Sequence, residues 1–291
     1  MHYEGTPYHN PYWDAPSLYI TQGCTHNRCK FCSMYRDAQF HMQPMEYIED
    51  DLRELKRYYP RLDAIQLQGA NPLAPSFDRL KPIFELIQKY FPGVRLLLAT
   101  RVSDIRNKTV EELRELKKLG LSCVSFGVES GDEWTLQRIN KGYHADEIVP
   151  LVSKLDEAEI PYWLTFLNGV AGRSHSKEHA LHSAEIFSQL HPQMVGTGGL
   201  VLFPGTELKE EAEKGEFDEL NEKELMEELL LFIENLDCDP EIFITHHTSS
   251  MNLSCRNFQE HKAEVVSNLK YGIEHFDMSR LTAVRQNKRT L

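Results

Sequence analysis

Three cysteines fall within nine residues, Cys24-Thr-His-Asn-Arg-Cys29-Lys-Phe-Cys32, directly after the short apolar run Ser17-Leu18-Tyr19-Ile20. A C-x4-C-x2-C loop at the end of a strand can bring three thiolates to one point, and thiolates are the ligands of soft metals and iron–sulfur clusters. Three ligands on a cubane cluster leave one iron open to bind something else. The competing reading is a zinc site made of the three cysteines plus His26. Structural zinc takes four ligands, commonly in paired Cys knuckles, and Cys123, Cys238 and Cys255 are scattered. Cys238 and Cys255 read as buried, inert thiols. A second chemical residue is Glu129, which closes the apolar run Ser122 to Val128. A carboxylate there either faces an open site or carries a heavy burial cost, and Lys141 is a candidate partner for it.

The elements that must position these residues alternate in type. Strands are expected at Ser17–Ile20, Ala64–Gln68, Arg95–Ala99, Ser122–Val128, Tyr162–Leu167 and Met194–Leu202. Helices follow from Pro44, at Phe77–Tyr90, from the capping box Thr109-x-x-Glu112, and at Asp146–Ala158 and His179–Leu190. Each strand ends in glycine, polar or ligand-type residues: the cysteine loop, Gly69-Ala70-Asn71-Pro72, Arg101, Glu129-Ser130-Gly131, Asn168 to Gly172, and Phe203-Pro204-Gly205. Alternation at this period predicts an α/β fold with a parallel sheet and right-handed crossovers. Polar residues at carboxyl strand ends are where α/β barrels place their sites. Six such units predict a partial (β/α)6 TIM-type barrel over residues 1–205. Residues 206–291 are expected to form a mostly helical extension packed on it, with helices at Leu220–Leu236 and Gln259–Phe276 and a short strand Glu241–Thr245. The basic stretch Arg280 to Arg289 reads as a polar tail. His246 and His247 are adjacent on a strand end and so face opposite ways, a poor metal pair.

Composition narrows the function classes. A chain of 291 residues can bury a sizeable core, and six cysteines in that length are too few for a disulfide framework. No run of 18 apolar residues is present and the start is not a signal peptide, so a cytoplasmic location is expected and a membrane is not. The formal net charge of -12 disfavours nucleic acid as a partner.

The cysteine loop with Phe31 beside its last cysteine, Phe126-Gly127-Val128-Glu129-Ser130-Gly131, Asn140-Lys141-Gly142 and Leu202-Phe203-Pro204-Gly205-Thr206 resemble the radical S-adenosylmethionine (SAM) superfamily. The likeness is to its stand-alone bacterial members with a C-x-H-N-x-C-x-F-C loop, mostly uncharacterised, and it covers about the first two-thirds of the chain. Two departures stand out. The commonest superfamily spacing is C-x3-C-x2-C, and Gln68-Gly69-Ala70-Asn71 stand where many members carry Gly-Gly-Glu. The resemblance implies a [4Fe–4S] cluster on Cys24, Cys29 and Cys32, SAM on the open iron, and reductive cleavage to a 5′-deoxyadenosyl radical acting on an unknown substrate. It further implies a low-potential electron donor such as flavodoxin or ferredoxin. Phe31 and Phe203 are then expected beside the adenine, and Gln68, Gly69 and Asn71 near the methionyl amine. Arg101 pairs with a carboxylate, Glu129 with ribose hydroxyls or with Lys141, Ser130 accompanies Glu129, and Asn168 opens the turn that approaches adenine and ribose. An ordinary turn at Gln68–Asn71 or Asn168–Gly172, and a surface role for Arg101, fit the residues as well. A cofactor carrier of this fold, binding haem without cleaving SAM, is the alternative function, and the zinc-binding structural module is the other.

Overall fold

The computed structural model describes residues 2–3, 13–245 and 251–286, and the His246–His247 pair lies outside them. The chain runs β1 (Ser17–Tyr19), β2 (Thr21–Gln22), β3 (His41–Met42), α1 (Met45–Tyr58), β4 (Ala64–Gln68), α2 (Phe77–Tyr90), β5 (Arg95–Thr100), α3 (Val110–Lys118), β6 (Leu121–Glu129), α4 (Glu133–Arg138) and α5 (Ile148–Glu157). It continues with β7 (Tyr162–Asn168), α6 (Ser176–Phe187), β8 (Met194–Gly199), α7 (Glu207–Glu213), α8 (Glu222–Asn235), β9 (Ile242–Thr245), β10 (Ser254–Arg256), α9 (Phe258–His275) and α10 (Met278–Gln286). Eight strands form one sheet in the order β1-β4-β5-β6-β7-β8-β9-β10, while β2 and β3 pair separately. The α/β fold is therefore a partial, unclosed TIM-type arrangement. Six β-then-α units are continued by two further strands, of which β10 runs antiparallel to β9.

Two compact units divide the chain: Met1–Asn27, Met34–Phe126 and Leu151–Tyr162 make the first, and Arg28–Ser33, Gly127–Pro150 and Trp163–Leu291 the second. In the first, β1, β4, β5 and β6 pair in parallel. All five residues of β4 are buried, as expected of a parallel strand covered on both faces. Ile48 and Leu52 of α1, Ile83, Phe84 and Ile87 of α2, and Leu113 and Leu116 of α3 close that core. The capping box that starts α3 is formed, with Glu112 N donating to Thr109 Oγ1 at 3.1 Å and Thr109 N to Glu112 Oε2 at 2.8 Å. In the second unit β7, β8 and β9 are parallel. Its core is aromatic: Phe166 stacks on Phe232 of α8 at 4.2 Å, and Phe243 on Phe258 at 5.0 Å.

The C-terminal stretch corrects one expectation. Residues Met278–Gln286 are helix α10 rather than a polar tail. Arg285 is buried there, donating from Nε to Glu222 Oε1 at 2.6 Å and from Nη1 to Leu200 O at 3.1 Å, with Glu219 as a further ion partner. A charged side chain tolerates such burial only when paired, and its acidic partners lie 63 and 66 residues upstream, beyond any local pattern. No helix among the described residues is long and apolar enough to cross a membrane.

Candidate functional site

In the first unit, the start of the cysteine loop is fixed by backbone geometry and a buried polar chain. Gly23 sits at φ +69°, where a Cβ would come within 2.6 Å of the Gln39 carbonyl, so the turn demands glycine. Thr25 N, next to Cys24, donates to Asn71 Oδ1 at 2.9 Å. Asn71 Nδ2 in turn donates to Asp104 Oδ2 at 2.6 Å, an oxygen that also accepts from Thr100 Oγ1 at 2.7 Å and Arg101 N at 2.9 Å. Thr25 Oγ1 reaches Asp104 Oδ1 at 3.4 Å. The turns after β4 and β5 thus hold the residue that follows Cys24. Asn27, at φ +52°, donates to Tyr35 O at 2.6 Å and closes the loop from the other side.

This places several expected cofactor contacts. Asn71 is fully buried, with its amide engaged by Thr25 and Asp104. Gln68 is buried too, its Nε2 donating to Gln66 Oε1 at 2.9 Å and its carbonyl accepting from Ile20 N at 3.2 Å. Gly69, at φ +103°, passes so close to Thr21 that a Cβ would lie 2.2 Å from it. Arg101 is half-buried just past β5. Asp104, which gathers this network, carries no signal in the sequence beyond standing three residues after Arg101.

In the second unit, Cys32 N donates to Cys29 O at 3.2 Å, closing a tight turn. Lys30 N donates to Ile139 O and Leu208 N to Lys30 O, both at 2.9 Å, and Asn140 Nδ2 donates to Arg28 O at 3.0 Å. Phe31 packs against the buried cluster of Ile139, Val170, Leu200, Leu208 and Phe217. The Lys141 ammonium stands 5.6 Å from its ring centroid, within range of a cation–π contact. That ammonium is buried and donates to Glu129 Oε1 at 3.1 Å; Thr165 Oγ1 reaches Glu129 Oε2 at 3.5 Å. Glu129 itself holds φ +69°, a region L residues rarely occupy and which gathers at functional sites. Phe31, Glu129 and Lys141 are therefore brought together.

Ser130 and Asn168 belong to a separate buried group. Ser130 Oγ accepts from Asp132 N at 3.0 Å, which leaves its proton for His179 Nδ1 at 2.9 Å. His179 Nε2–H then donates to Leu167 O at 3.3 Å. Burial holds this histidine below its ordinary range despite the nearby Glu228 carboxylate, so it is the neutral tautomer. Asn168 Nδ2 and Gly169 N both donate to Glu228 Oε1, at 2.8 and 2.6 Å. Glu228 thus fastens the turn after β7, while its Oε2 is buried with no hydrogen-bond partner. Nothing local marks Glu228, one of several acids on an amphipathic helix. Phe203 lies half-buried before α7, its carbonyl accepting from Thr206, the cap of that helix.

The donor chemistry suits an iron–sulfur cluster. No disulfide joins the six cysteines, and Cys24, Cys29 and Cys32 are partly exposed. Burial instead pushes the thiols of Cys123 and Cys238 up to about 12 and raises Cys255, and these three stand apart on β6, in the segment after α8 and on β10. Among the described residues no group of three Cys, His, Asp or Glu is gathered tightly enough for a single metal ion. Three irons of a cube take their thiolates at three separate corners.

Comparison with known proteins fits these observations. The sequence model of the radical SAM superfamily matches residues 18–187. The chain belongs to the radical SAM superfamily. An uncharacterized protein of Methanocaldococcus jannaschii is 25% identical over 230 residues, spanning 75% of this chain and 70% of its own. Among solved structures, the radical SAM methyltransferase TsrM of Kitasatospora setae, with cobalamin and a [4Fe–4S] cluster bound, aligns with TM-score 0.56 and 19% identity. That match spans 69% of this radical SAM protein and only 39% of TsrM. Methylornithine synthase aligns with TM-score 0.53 and 17% identity over 93% of this chain and 86% of its own. At these identities the likeness is one of fold. Membership of the superfamily makes this protein an enzyme, of a subclass that it leaves open.

Proposed function

We propose that this radical SAM enzyme holds a [4Fe–4S] cluster on Cys24, Cys29 and Cys32 and positions SAM beside it. Cluster and SAM together supply one-electron cleavage of the sulfonium bond and a 5′-deoxyadenosyl radical that takes hydrogen from the substrate. The observation that carries this reading is the division among the thiols. The three gathered on one braced loop are partly exposed, whereas Cys123 and Cys238 are buried and Cys255, partly exposed, stands alone on β10.

The remaining residues bind and orient. Glu129, held at a strained backbone position, presents a carboxylate to ribose hydroxyls, and Lys141 neutralises it so that the charge survives burial. Phe31 offers an apolar wall against the adenine, with Phe203 near the end of the core as a second. The side chains of Gln68 and Asn71 are engaged by the protein, so the acceptors presented to the SAM ammonium after β4 are backbone carbonyls around Gly69. Arg101 supplies a cation for a carboxylate. Ser130 and Asn168 act by shaping the ends of β6 and β7. On this reading residues 1–205 form the radical SAM core and residues 206–291 an extension that completes it. A low-potential donor such as flavodoxin or ferredoxin provides the electron, and the protein works in the cytoplasm.

The test is anaerobic reconstitution with iron and sulfide, followed by reductant and SAM, with 5′-deoxyadenosine as product. Wild type is expected to form it, and Cys24→Ala, Cys29→Ala and Cys32→Ala each to lose both cluster and product. Equal cluster content in those variants, or none in wild type, overturns the proposal.

A further inference from the structure

The segment Arg28–Ser33 carries two of the three thiols and has no regular secondary structure. Loops of that kind are usually the least protected parts of a protein, and metal sites are rarely preformed without their metal. Here the tethers on one residue run otherwise. The backbone of Lys30 is held on both sides, by Ile139 O at the end of α4 and by Leu208 N in the first turn of α7. Its side chain turns the same way, with Nζ 2.8 Å from Glu207 Oε1 and 2.7 Å from Glu211 Oε1. The other oxygen of Glu211 pairs with Arg138 of α4. Glu211 is only 13% exposed and its two cations 23% each, so the triad is shielded, unlike solvated surface pairs of negligible worth.

From this geometry we infer that Glu211 is a positioning residue for the cysteine loop: helix α7 prebuilds the Cys29–Cys32 half of the cluster site before any iron is bound. The inference deepens the function proposed above and rests on it only for the identity of the cluster. One carboxylate joins a cation of the loop to a cation of α4, and the residue carrying the loop cation lies between the two cysteines. Glutamine cannot replace it. Its single oxygen serves one cation, and its NH2 would face the other. Glu213 of the same helix provides the control, since its ion pair is with Lys209 one turn earlier.

The experiment compares wild type, Glu211→Gln, Lys30→Met, the double variant and Glu213→Gln as full-length protein. Amide hydrogen exchange is read on the metal-free chain; iron content and the electron paramagnetic resonance of the reduced cluster are read after reconstitution. Glu211→Gln and Lys30→Met are each expected to speed exchange of the Lys30 and Leu208 amides about tenfold, between the worth of a solvated pair and that of a fully buried one. Thermal melting should shift by only about 2–3 °C, the same loss spread over the unfolding of the whole chain. The double variant should be no faster than either single one, and Glu213→Gln should match wild type. The reconstituted Glu211→Gln protein should lose iron to a chelator about tenfold faster, with an altered resonance line shape. Exchange at Lys30 within twofold of wild type in both single variants overturns the inference. Failure of wild type to bind a cluster, with Lys30 protection intact, sinks the cofactor assignment and leaves the clamp standing.

Discussion

Glu129 holds a backbone conformation that a side chain resists and a carboxylate that burial penalises, and Lys141 relieves only the second. Replacing it by glycine or by alanine removes the same carboxylate and leaves the same ammonium, so the difference between the two variants isolates the strain. Glu129→Gly is expected to be more stable than Glu129→Ala by about 1 kcal/mol in thermal or denaturant melting, the usual scale of the left-handed penalty. Both should bind SAM at least tenfold more weakly than wild type; equal stability of the pair, or undiminished SAM binding, would count against a strained functional residue. His179 yields a prediction in pH. Burial depresses its folded value below the reference of 6.5, so between those two values the unfolded chain is protonated and the folded one is not. Its stabilising contribution is therefore complete above pH 6.5 and is lost as pH falls through the depressed value. Glu228, Asp132 and His175 are the charges that act on it. The nearby Asp132 is itself held below 3.8, burial opposing and hydrogen bonds from His182 and Thr135 prevailing, so it titrates outside this window. Melting temperature measured from pH 7.5 to 5.5 should fall less steeply in His179→Gln than in wild type, and parallel slopes would exclude the assignment. At this scale the sequence reveals residues whose type is itself the evidence. Three clustered thiols have few uses, and Glu129 closing an apolar strand is conspicuous. Asp104, Glu211 and Glu228 were not legible, because an acid on a helix or turn becomes special only through the segment folded against it.

The regular βα elements were readable because their period is written in apolar residues: Ala64–Gln68 and Phe77–Tyr90 have the bounds that their burial pattern dictates. Helices α4 and α7, of 6 and 7 residues, complete fewer than two turns and leave too little periodicity to detect. Yet both anchor the cysteine loop. Helix α10 was hidden for a different reason, since Arg285 and its neighbours have the composition of a solvated tail. Its burial depends on Glu222 at the first turn of α8 and on Glu219 just before it. Breaking such a pair leaves an uncompensated charge, because Glu222 is 1% exposed. Arg285→Met is expected to cost about 3 kcal/mol, roughly 5 °C in melting temperature. Adding Glu222→Gln should restore part of that loss by removing the orphaned charge. A melting temperature unchanged by Arg285→Met would mean that α10 does not depend on this contact.

For the molecule as a whole, the question is whether the proposed cluster would hold the fold together or only complete one loop of it. Small zinc modules unfold without their metal because the ligands replace a core. Here the two units each bury an apolar interior of their own: Leu18, Ile65, Leu98 and Phe126 in the first, and Phe166, Val195, Phe232 and Phe243 in the second. Neither list includes a cluster ligand. Removing iron with a chelator should then leave the far-ultraviolet circular dichroism unchanged while altering what the thiols can do. Alkylation follows the thiolate fraction and access. At pH 8 a thiol raised to about 12 is thiolate in roughly one molecule in ten thousand, and Cys123 and Cys238 are also buried. Cys255, partly exposed but raised by burial, should react slowly. Iodoacetamide on the chelated, folded protein is therefore expected to modify Cys24, Cys29 and Cys32 quickly, and peptide mapping after reconstitution should find those same three protected. Rapid labelling of Cys123 or Cys238, or loss of the dichroism signal with the iron, would show that the metal stabilises the global fold.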